Sequence, residues 1–224
     1  MSRPIRIVIF GNGFARTVVL PCLRHVDGVE VVGIASPGQE RLRETAREFG
    51  IARFDADHRS LLEATEPDLA IVCTPPHRHL DQATDALAAG CHVICEKPTA
   101  LNATESETLC EAAAAHPDRI TLIDHELRFD PKRRELGRQL RDGAIGRPLR
   151  ATYTVESHWR RDPKLPWTWF SDAACGGGAL GALGSHAIDS LRALLGEVDL
   201  DSVRGRLDAP VRQRTDGDGR RRDV

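Results

Sequence analysis

Short apolar runs alternate with amphipathic segments along the first 125 residues of the chain. The runs are rich in Val and Ile, which is typical of strands buried on both faces of a sheet. The segments between them show helical periodicity and the connections are short, so the pattern predicts an α/β fold with a doubly wound parallel sheet. The predicted strands are 5–10, 29–35, 52–54, 68–73, 92–95 and 120–124. The predicted helices are 18–23, 39–49, 60–64, 77–89, 102–116 and 131–141.

The pattern changes close to residue 130. Residues 148–157 alternate apolar and polar positions, which predicts an antiparallel strand with one covered face. A helix is predicted to begin near Ser185, and another strand at 199–207. Residues 211–224 combine Arg, Asp and Gly, a composition that predicts a solvated, disordered tail.

Composition excludes several classes of protein. With 224 residues, 41% hydrophobic and 29% charged, the chain is typical of a globular protein of one to two domains. A net charge of −2 offers no general attraction for nucleic acid or an anionic membrane, and neither a membrane span nor a signal peptide is expected. The six cysteines form no CxxC pair, so we expect no metal site and reduced thiols in a cytoplasmic protein.

A glycine turn follows the first predicted strand and opens the first helix. In that context a Gly-x-Gly turn predicts a phosphate site, because it lets backbone approach a pyrophosphate at a helix N-terminus. The third position of the GxGxxG pattern is Arg16, so the pattern is incomplete and a plain turn remains the alternative. The predicted cofactor-binding residues are Gly11, Asn12, Gly13, Phe14 and Ala15.

The end of the second strand bears on cofactor choice. NAD-selective folds usually carry Asp or Glu there to bind the ribose 2′-hydroxyl, whereas this chain has Ser36. Ser36 has no charge to repel a 2′-phosphate, and Arg41 follows five residues later. The pair favours NADP over NAD, although Arg41 is also explained as one more exposed arginine.

Polar residues follow the fourth and fifth strands, where ligands bind in open α/β sheets. Thr74 and Pro75 end the fourth strand, and His79 is the better of two histidines for facing the crevice. Glu96, Lys97 and Pro98 end the fifth. The chain has three lysines against 28 arginines, so a lysine here suggests a need for a group that can release its proton; a solvated lysine is the alternative.

The second half holds further candidates. His186 and Asp189 lie three apart on one predicted helix face, after three consecutive glycines, and a histidine beside an aspartate can act as acid or base. Three tryptophans fall within residues 158–175. Their cluster predicts either part of a substrate pocket, with Trp169 as a lining residue, or a small satellite core.

Together these motifs resemble the Gfo/Idh/MocA family of oxidoreductases. The resemblance rests on GNG, TPPHRH, AGCHVICEKP, LRFDP and GGGALGALGSHAID, and spans nearly the whole chain. It implies an NAD(P)-binding Rossmann domain at 1–128 and a partial α+β domain at 129–210. The open, mostly antiparallel sheet of that second domain often forms an oligomer interface. Hydride transfer between NAD(P) and a hydroxyl or carbonyl carbon of a sugar, cyclitol or related small molecule is implied.

The resemblance also implies roles for individual residues. Lys97 and His186 would be the catalytic groups that anchor the substrate hydroxyl and take its proton. Arg128, Asp189 and Trp169 are our candidates for substrate binding, and a cis peptide is expected before Pro98. Cofactor-side positions that match the family are Gly11, Gly13, Ser36, Thr74, Pro75, His79 and Glu96.

Two departures keep alternatives open. Many members have an aspartate four residues before the histidine, where this chain has Ala182, and members continue through several more strands. We therefore expect a truncated chain with an incomplete interface sheet, compatible with homo-oligomers but lacking a full oligomer surface. The alternatives are a non-catalytic NAD(P)-binding regulator, and an enzyme that recycles a tightly held cofactor during elimination or hydrolysis.

Overall fold

The computed structural model describes residues 3–158 and 160–224, and Trp159 lies outside the described residues. The chain forms two units, the first ending at Asp124 and the second beginning at His125. The sequence places this division at 128/129. No helix within the described ranges is both long and apolar enough to cross a bilayer.

The first unit is built on a six-stranded, fully parallel sheet with strand order β3-β2-β1-β4-β5-β6. This order confirms the predicted doubly wound Rossmann fold, whose strand order reverses between β1 and β4. The strands are β1 Ile5–Phe10, β2 Val29–Ala35, β3 Arg53–Asp55, β4 Leu69–Val72, β5 His92–Glu96 and β6 Thr121–Asp124.

Five helices pack on the two faces of this sheet. In β1, Ile7 and Ile9 belong to one buried cluster and Val8 and Phe10 to the other, so the strand is apolar throughout. Side chains cap two of the helices: Asn102 accepts from the Glu105 N–H at 3.0 Å, and Asp57 accepts from the Ser60 N–H at 3.0 Å. The helices are α1 Leu20–Leu23 (after a wide π turn, Ala15–Val19), α2 Gln39–Phe49, α3 His58–Thr65, α4 His79–Ala88 (after a 3₁₀ turn, Pro76–Arg78) and α5 Ala103–Ala115.

The second unit contains two helices and a hairpin. Helix α6, Pro131–Arg141, begins at Asp130, whose carboxylate accepts from the Lys132 and Arg133 N–H groups. Helix α7, Ser185–Leu195, begins at the predicted residue and follows a wide π turn, Leu180–Gly184. The antiparallel hairpin joins β7, Gln213–Thr215, to β8, Arg221–Asp223.

The structure contradicts two predicted strands of the second unit, at residues 148–157 and 199–207. Residues 148–157 are irregular and exposed, with Leu149 93% exposed. Residues 199–207 contain only a 3₁₀ turn, Leu200–Ser202. None of the strands in the described ranges pairs with either segment. An alternating pattern forms a strand only beside a neighbour that accepts its backbone hydrogen bonds and covers its apolar face.

The predicted disordered tail is also corrected, because it contains the hairpin. The Asp216 carboxylate accepts from the backbone N–H groups of Asp218 and Arg220 and closes the turn. Arg214 is buried and donates to the carbonyls of residues 160, 162 and 165. Asp and Gly, which lower the hydrophobicity of this segment, are also the residues that tight turns require.

Candidate functional site

The glycine turn lies where β1 and β4 end side by side, at the point where the strand order reverses. The Gly11 N–H donates to the Ala35 carbonyl at 2.7 Å, and the residue has a φ of +100°. A Cβ at this position would lie 2.5 Å from the Cys73 carbonyl oxygen. Both the backbone conformation and the closeness of the chain after β4 therefore require glycine here.

The rest of the turn presents an open side. A Cβ added to Gly13 would meet no atom within 4 Å, so this backbone is approachable. Ala15 is fully buried in the core between the sheet and α2, which is the packing expected of the third small residue in the motif. Arg16 instead forms ion pairs with Glu48 at 2.8 Å and Glu44 at 3.5 Å, both on α2.

Asn12 offers a buried acceptor within the same turn. The residue is only 7% exposed, and its Oδ1 has no hydrogen-bond partner among the described residues. A buried acceptor without a donor is expected where a bound molecule supplies one. The approachable Gly13 backbone and the Asn12 oxygen together fit a dinucleotide.

At the end of β2 the structure brings the backbone of Asp55, the last residue of β3, beside Ser36. Ala35 is the register partner of Asp55, and the Ser36 N–H donates to the Asp55 carbonyl at 3.0 Å. Arg41 is exposed in the first turn of α2. Sequence reasoning missed Asp55 because the predicted third strand stopped at residue 54. An acidic residue directly after a predicted strand was the signal that could have revealed it.

His79 lies inside the protein, contrary to the expectation that it faces the crevice. Its side chain is fully buried, with Nε2 2.8 Å from the Thr74 carbonyl oxygen and Nδ1 2.9 Å from that of Pro98. Burial lowers the pKa of His79, although hydrogen bonds to backbone carbonyls oppose the shift. The neighbouring Thr74 hydroxyl donates to Gln82 at 2.6 Å.

Acidic side chains occupy the strand ends next to Lys97. Glu96 is buried and is the register partner of Asp124 across β5 and β6. Burial raises the pKa of the Cys73 thiol well above its usual value, and the charges of Glu96 and Asp124 add to the shift. Lys97 is half-buried, and the Lys97–Pro98 peptide is cis, as the resemblance implies. The negative charge at this corner favours a cation there.

A second polar cluster lies wholly within the second unit. Arg128 donates to both oxygens of Asp189, with Nε at 2.9–3.0 Å and Nη2 at 2.6 Å. The Nε2 atom of His125 lies 3.8 Å from Asp189 Oδ1. Burial by itself raises the pKa of Asp189, but the Arg128 hydrogen bonds and the nearby charges outweigh it, so the pKa is lowered.

His186 belongs to the same cluster but faces a different carboxylate. Its Nε2 lies 3.7 Å from Glu126 Oε1, and its ring is nearly perpendicular to the His125 ring, with centroids 6.3 Å apart. The expected partnership of His186 with Asp189 is thus replaced by two pairs, His186–Glu126 and Asp189–Arg128. Sequence reasoning missed His125 and Glu126, although they directly follow β6, where an open sheet binds ligands.

Trp167 and Trp169 have different surroundings in the structure. Trp167 packs on the hairpin, with its Nε1–H donating to the Asp223 carbonyl at 2.9 Å and the Arg222 guanidinium 4.0 Å from its ring centroid. This half-buried packing of a single tryptophan leaves both expectations for the cluster, a pocket lining or a satellite core, as predictions. Trp169 is 40% exposed and packs edge-on against Phe170.

Comparison with protein families agrees with these motifs. The model described as "Oxidoreductase family, NAD-binding Rossmann fold" matches residues 5–123, and the GFO/IDH/MocA C-terminal domain matches residues 134–220.

Curated relatives include several sugar dehydrogenases. Levoglucosan dehydrogenase of Pseudarthrobacter phenanthrenivorans is 35% identical over 73% of this chain and 42% of its own length. D-apiose dehydrogenase of Paraburkholderia graminis is 32% identical over 85% and 49%, and D-glucoside 3-dehydrogenase of Escherichia coli is 29% identical over 90% and 57%. The chain therefore spans about half the length of the curated relatives it matches.

Solved structures extend the similarity to the fold. An oxidoreductase domain protein from Kribbella flavida superposes with a TM-score of 0.83 at 30% identity, covering 100% of this chain and 61% of the other. Levoglucosan dehydrogenase in complex with NADH and L-sorbose gives 0.83 at 28% identity, covering 98% and 61%. With family models matched in both units and the glycine turn built as the motif requires, the chain belongs to the Gfo/Idh/MocA family of oxidoreductases.

Proposed function

We propose that this chain carries the cofactor-binding part and a portion of the substrate-binding part of an NAD(P)-dependent dehydrogenase. Its substrate is the hydroxyl-bearing carbon, or the corresponding carbonyl carbon, of a sugar, cyclitol or related small molecule. The observation that carries this proposal is the Gly11 turn, which is built against the end of β4 and leaves the Gly13 backbone approachable. Named relatives that act on levoglucosan, D-apiose and inositol support the substrate class.

The first unit supplies the cofactor site in this proposal. The pyrophosphate binds the Gly11–Ala15 turn, and Asn12 accepts a hydrogen bond from the bound molecule. Phe14, Thr74, Pro75 and Glu96 line the strand ends around it. The nicotinamide, when bound, supplies the hydride acceptor or donor for the substrate carbon.

Lys97 and His186 are the proposed proton-handling groups, each from its own unit. In oxidation, the substrate hydroxyl gives its proton to one of these side chains while its carbon loses a hydride, so a carbonyl forms. In the first unit, the neutral Lys97 amine takes the proton in oxidation and its ammonium returns the proton to the carbonyl oxygen in reduction, while the acidic ends of β5 and β6 stabilise the ammonium that forms. In the second unit, Glu126 faces His186 and stabilises the imidazolium that proton uptake would create.

Three residues of the second unit are proposed to bind the sugar. Arg128 is 49% exposed while it pairs with Asp189, so its guanidinium can still donate to substrate hydroxyls. Asp189 acts mainly by orienting Arg128. Trp169 exposes an aromatic face of the kind that packs on the C–H groups of a sugar ring.

For cofactor choice we propose NADP. Ser36 has no charge to repel a 2′-phosphate, and the exposed Arg41 can approach one. Asp55, beside Ser36, is the observation that favours NAD instead, because its carboxylate can accept from a ribose hydroxyl. An Arg41→Gln variant separates the two, since only NADPH binding should weaken.

The first experiment is titration of the purified chain with NADPH and NADH, followed by nicotinamide fluorescence and thermal shift. Binding that raises the melting temperature supports the proposal, and the tighter cofactor decides between Arg41 and Asp55. A folded sample that binds neither cofactor overturns it.

Oxidation of levoglucosan and myo-inositol is then measured with wild type and Lys97→Met. Loss of at least about a hundredfold in turnover, with cofactor binding retained, is expected for a proton-transfer group. Lys132→Met, at an exposed position on α6, is the matched control.

A second candidate, a non-catalytic NAD(P)-binding regulator, is favoured by Ala182, which stands where many relatives have an aspartate. Cofactor binding without turnover of any sugar, together with biological activity unchanged by Lys97→Met, would favour this candidate.

We also propose the cytoplasm as the location. All six cysteines are free thiols, and three of them are buried, as expected of a protein that folds in a reducing compartment. An intact mass that shows six alkylatable thiols after denaturation without reductant would support this.

A further inference from the structure

The imidazole of His79 bridges two loops that follow neighbouring strands. His79 is the first residue of α4, and its ring is fully buried. One ring nitrogen faces the Thr74 carbonyl, directly after β4, at 2.8 Å, and the other faces the Pro98 carbonyl, directly after Lys97, at 2.9 Å. Both distances are those of good hydrogen bonds to carbonyl oxygens.

The bridge depends on the two ring nitrogens of histidine and on which of them carries a proton. A neutral imidazole has one N–H donor and an imidazolium has two, so at least one carbonyl is held at any proton state. The ring is planar and buried at the start of α4, so a proton on Nδ1 ties the Pro98 carbonyl to this helix and a proton on Nε2 ties the Thr74 carbonyl to it.

This contact affects Lys97, because Pro98, whose carbonyl faces the ring, is the next residue in the chain. Lys97 is half-buried at the end of β5, and its peptide bond to Pro98 is part of the anchored turn. An anchor one residue away restricts where the Lys97 backbone can lie, and small displacements of a reacting group lower rates strongly.

We propose that His79 is a positioning residue for Lys97, whose Nδ1–H donates to the Pro98 carbonyl and so fixes the Lys97–Pro98 turn against α4 and the loop after β4. This rests on the proposed role of Lys97 in proton transfer. His79 touches neither substrate nor cofactor in this account; it acts through the backbone of the turn.

Two amide variants separate the two hydrogen bonds. Asn places its side-chain nitrogen near the position of Nδ1, so His79→Asn keeps a donor for the Pro98 carbonyl and places no atom at the position of Nε2. Gln places its nitrogen near Nε2, so His79→Gln does the reverse. His77→Gln is the matched control, because His77 is exposed and lies two residues earlier, in the 3₁₀ turn that precedes α4.

The experiment measures backbone hydrogen exchange of the 96–101 peptide, the dissociation constants of NADPH and NADH, and kcat for levoglucosan with the cofactor that binds more tightly. We expect His79→Gln to exchange faster at 96–101 and to lose about tenfold in kcat with NADH affinity unchanged, as for removal of one orienting hydrogen bond. We expect His79→Asn and His77→Gln to stay close to wild type in both. Equal behaviour of the Asn and Gln variants, or exchange unchanged in His79→Gln, would overturn the proposal.

A spectroscopic measurement keeps the proposal testable if the amide variants fail to fold. The ¹⁵N chemical shifts of the histidine ring nitrogens in the wild-type chain report which of them carries a proton. A protonated Nδ1 in His79 supports the proposal, and an unprotonated Nδ1 overturns it. Exchange and NMR need no turnover, so a wild type that binds NADH but oxidises no sugar would refute the proposed function while leaving the His79 bridge to be decided separately.

Discussion

The Arg128 guanidinium donates to both carboxylate oxygens of Asp189, at 2.6 to 3.0 Å, and Asp189 is almost fully buried. This pair ties the turn after β6 to α7, the two segments that present His125, Glu126 and His186. This ion pair therefore helps to fix the geometry of the cluster.

Replacing Asp189 with Asn is expected to destabilise the second unit by about 2 kcal/mol, because hydrogen bonds to a charged partner are lost from a buried site. Urea unfolding followed by tryptophan fluorescence measures this, since all three tryptophans lie within residues 159–169. The control is Glu135→Gln, which removes an exposed ion pair with Arg138 on α6 and should change little. Equal effects of the two substitutions would contradict the prediction.

The same carboxylate predicts a dependence of stability on pH. Burial alone would raise the pKa of Asp189, but Arg128 and His125 hold it below the ordinary value. A lowered pKa means that the stabilisation is complete above the unfolded pKa, about 3.9, and is lost as the pH falls through the lower folded value. The stability difference between wild type and Asp189→Asn should be constant from pH 8 to about 5 and shrink below about 4. A difference as large at pH 2 as at pH 7 would show that the ion pair does not cause it.

Gly11→Ala and Gly13→Ala should behave differently although they are two residues apart. At Gly11 a Cβ would lie 2.5 Å from the Cys73 carbonyl oxygen on backbone with a φ of +100°, so Ala should cost about 3 kcal/mol through strain and overpacking. At Gly13 a Cβ meets nothing, so the protein should melt normally while NADH binds more weakly. Thermal melting and fluorescence titration test both. Normal NADH affinity in Gly13→Ala would argue against a pyrophosphate beside that residue.

Thiol reactivity should divide the cysteines into two groups. Burial raises the pKa of Cys91 to about 11 and that of Cys95 to about 12, whereas Cys22 and Cys110 are exposed. Alkylation at pH 8 requires an accessible thiolate, so Cys22 and Cys110 should be labelled and the buried pair protected until the chain unfolds. Mass spectrometry of peptides after timed labelling measures the rates. Labelling of Cys95 as fast as Cys22 would mean that β5 is not packed as described.

The first unit was largely predictable because local and tertiary signals agree there. The central strands are β-branched runs buried between helices, and Asn102 is both a favoured cap residue and the observed cap of α5. The Gly11 turn was recognisable because the motif, the strand before it and the helix after it occur together.

The second unit was less predictable because its structure depends on contacts between residues that are far apart in the chain. A local sequence pattern does not reveal such contacts. The alternating residues 148–157 predicted a strand, yet a strand forms only where another supplies hydrogen bonds. Helical spacing correctly placed His186 and Asp189 on one helix, but not their partners Glu126 and Arg128, which are about 60 residues away in the chain. His79 shows a different limit of sequence reasoning. A polar residue at a helix start is usually exposed, whereas the His79 ring is buried and its two nitrogens face backbone carbonyls.

The strand order β3-β2-β1-β4-β5-β6 has a consequence for the route by which the first unit folds. Strands β1 to β3 pair only among themselves and so do β4 to β6, apart from the single seam between β1 and β4. Paired strands within each half are closer in the chain, as Gly33 and Arg53 are, whereas the seam joins Ile7 to Leu69 and must close the longest loop. Docking of the halves along this seam is therefore the slow, non-local step, and the same step brings the glycine turn up against Cys73. The glycine turn and the chain after β4, on which the proposed cofactor site depends, therefore meet only when this seam has formed.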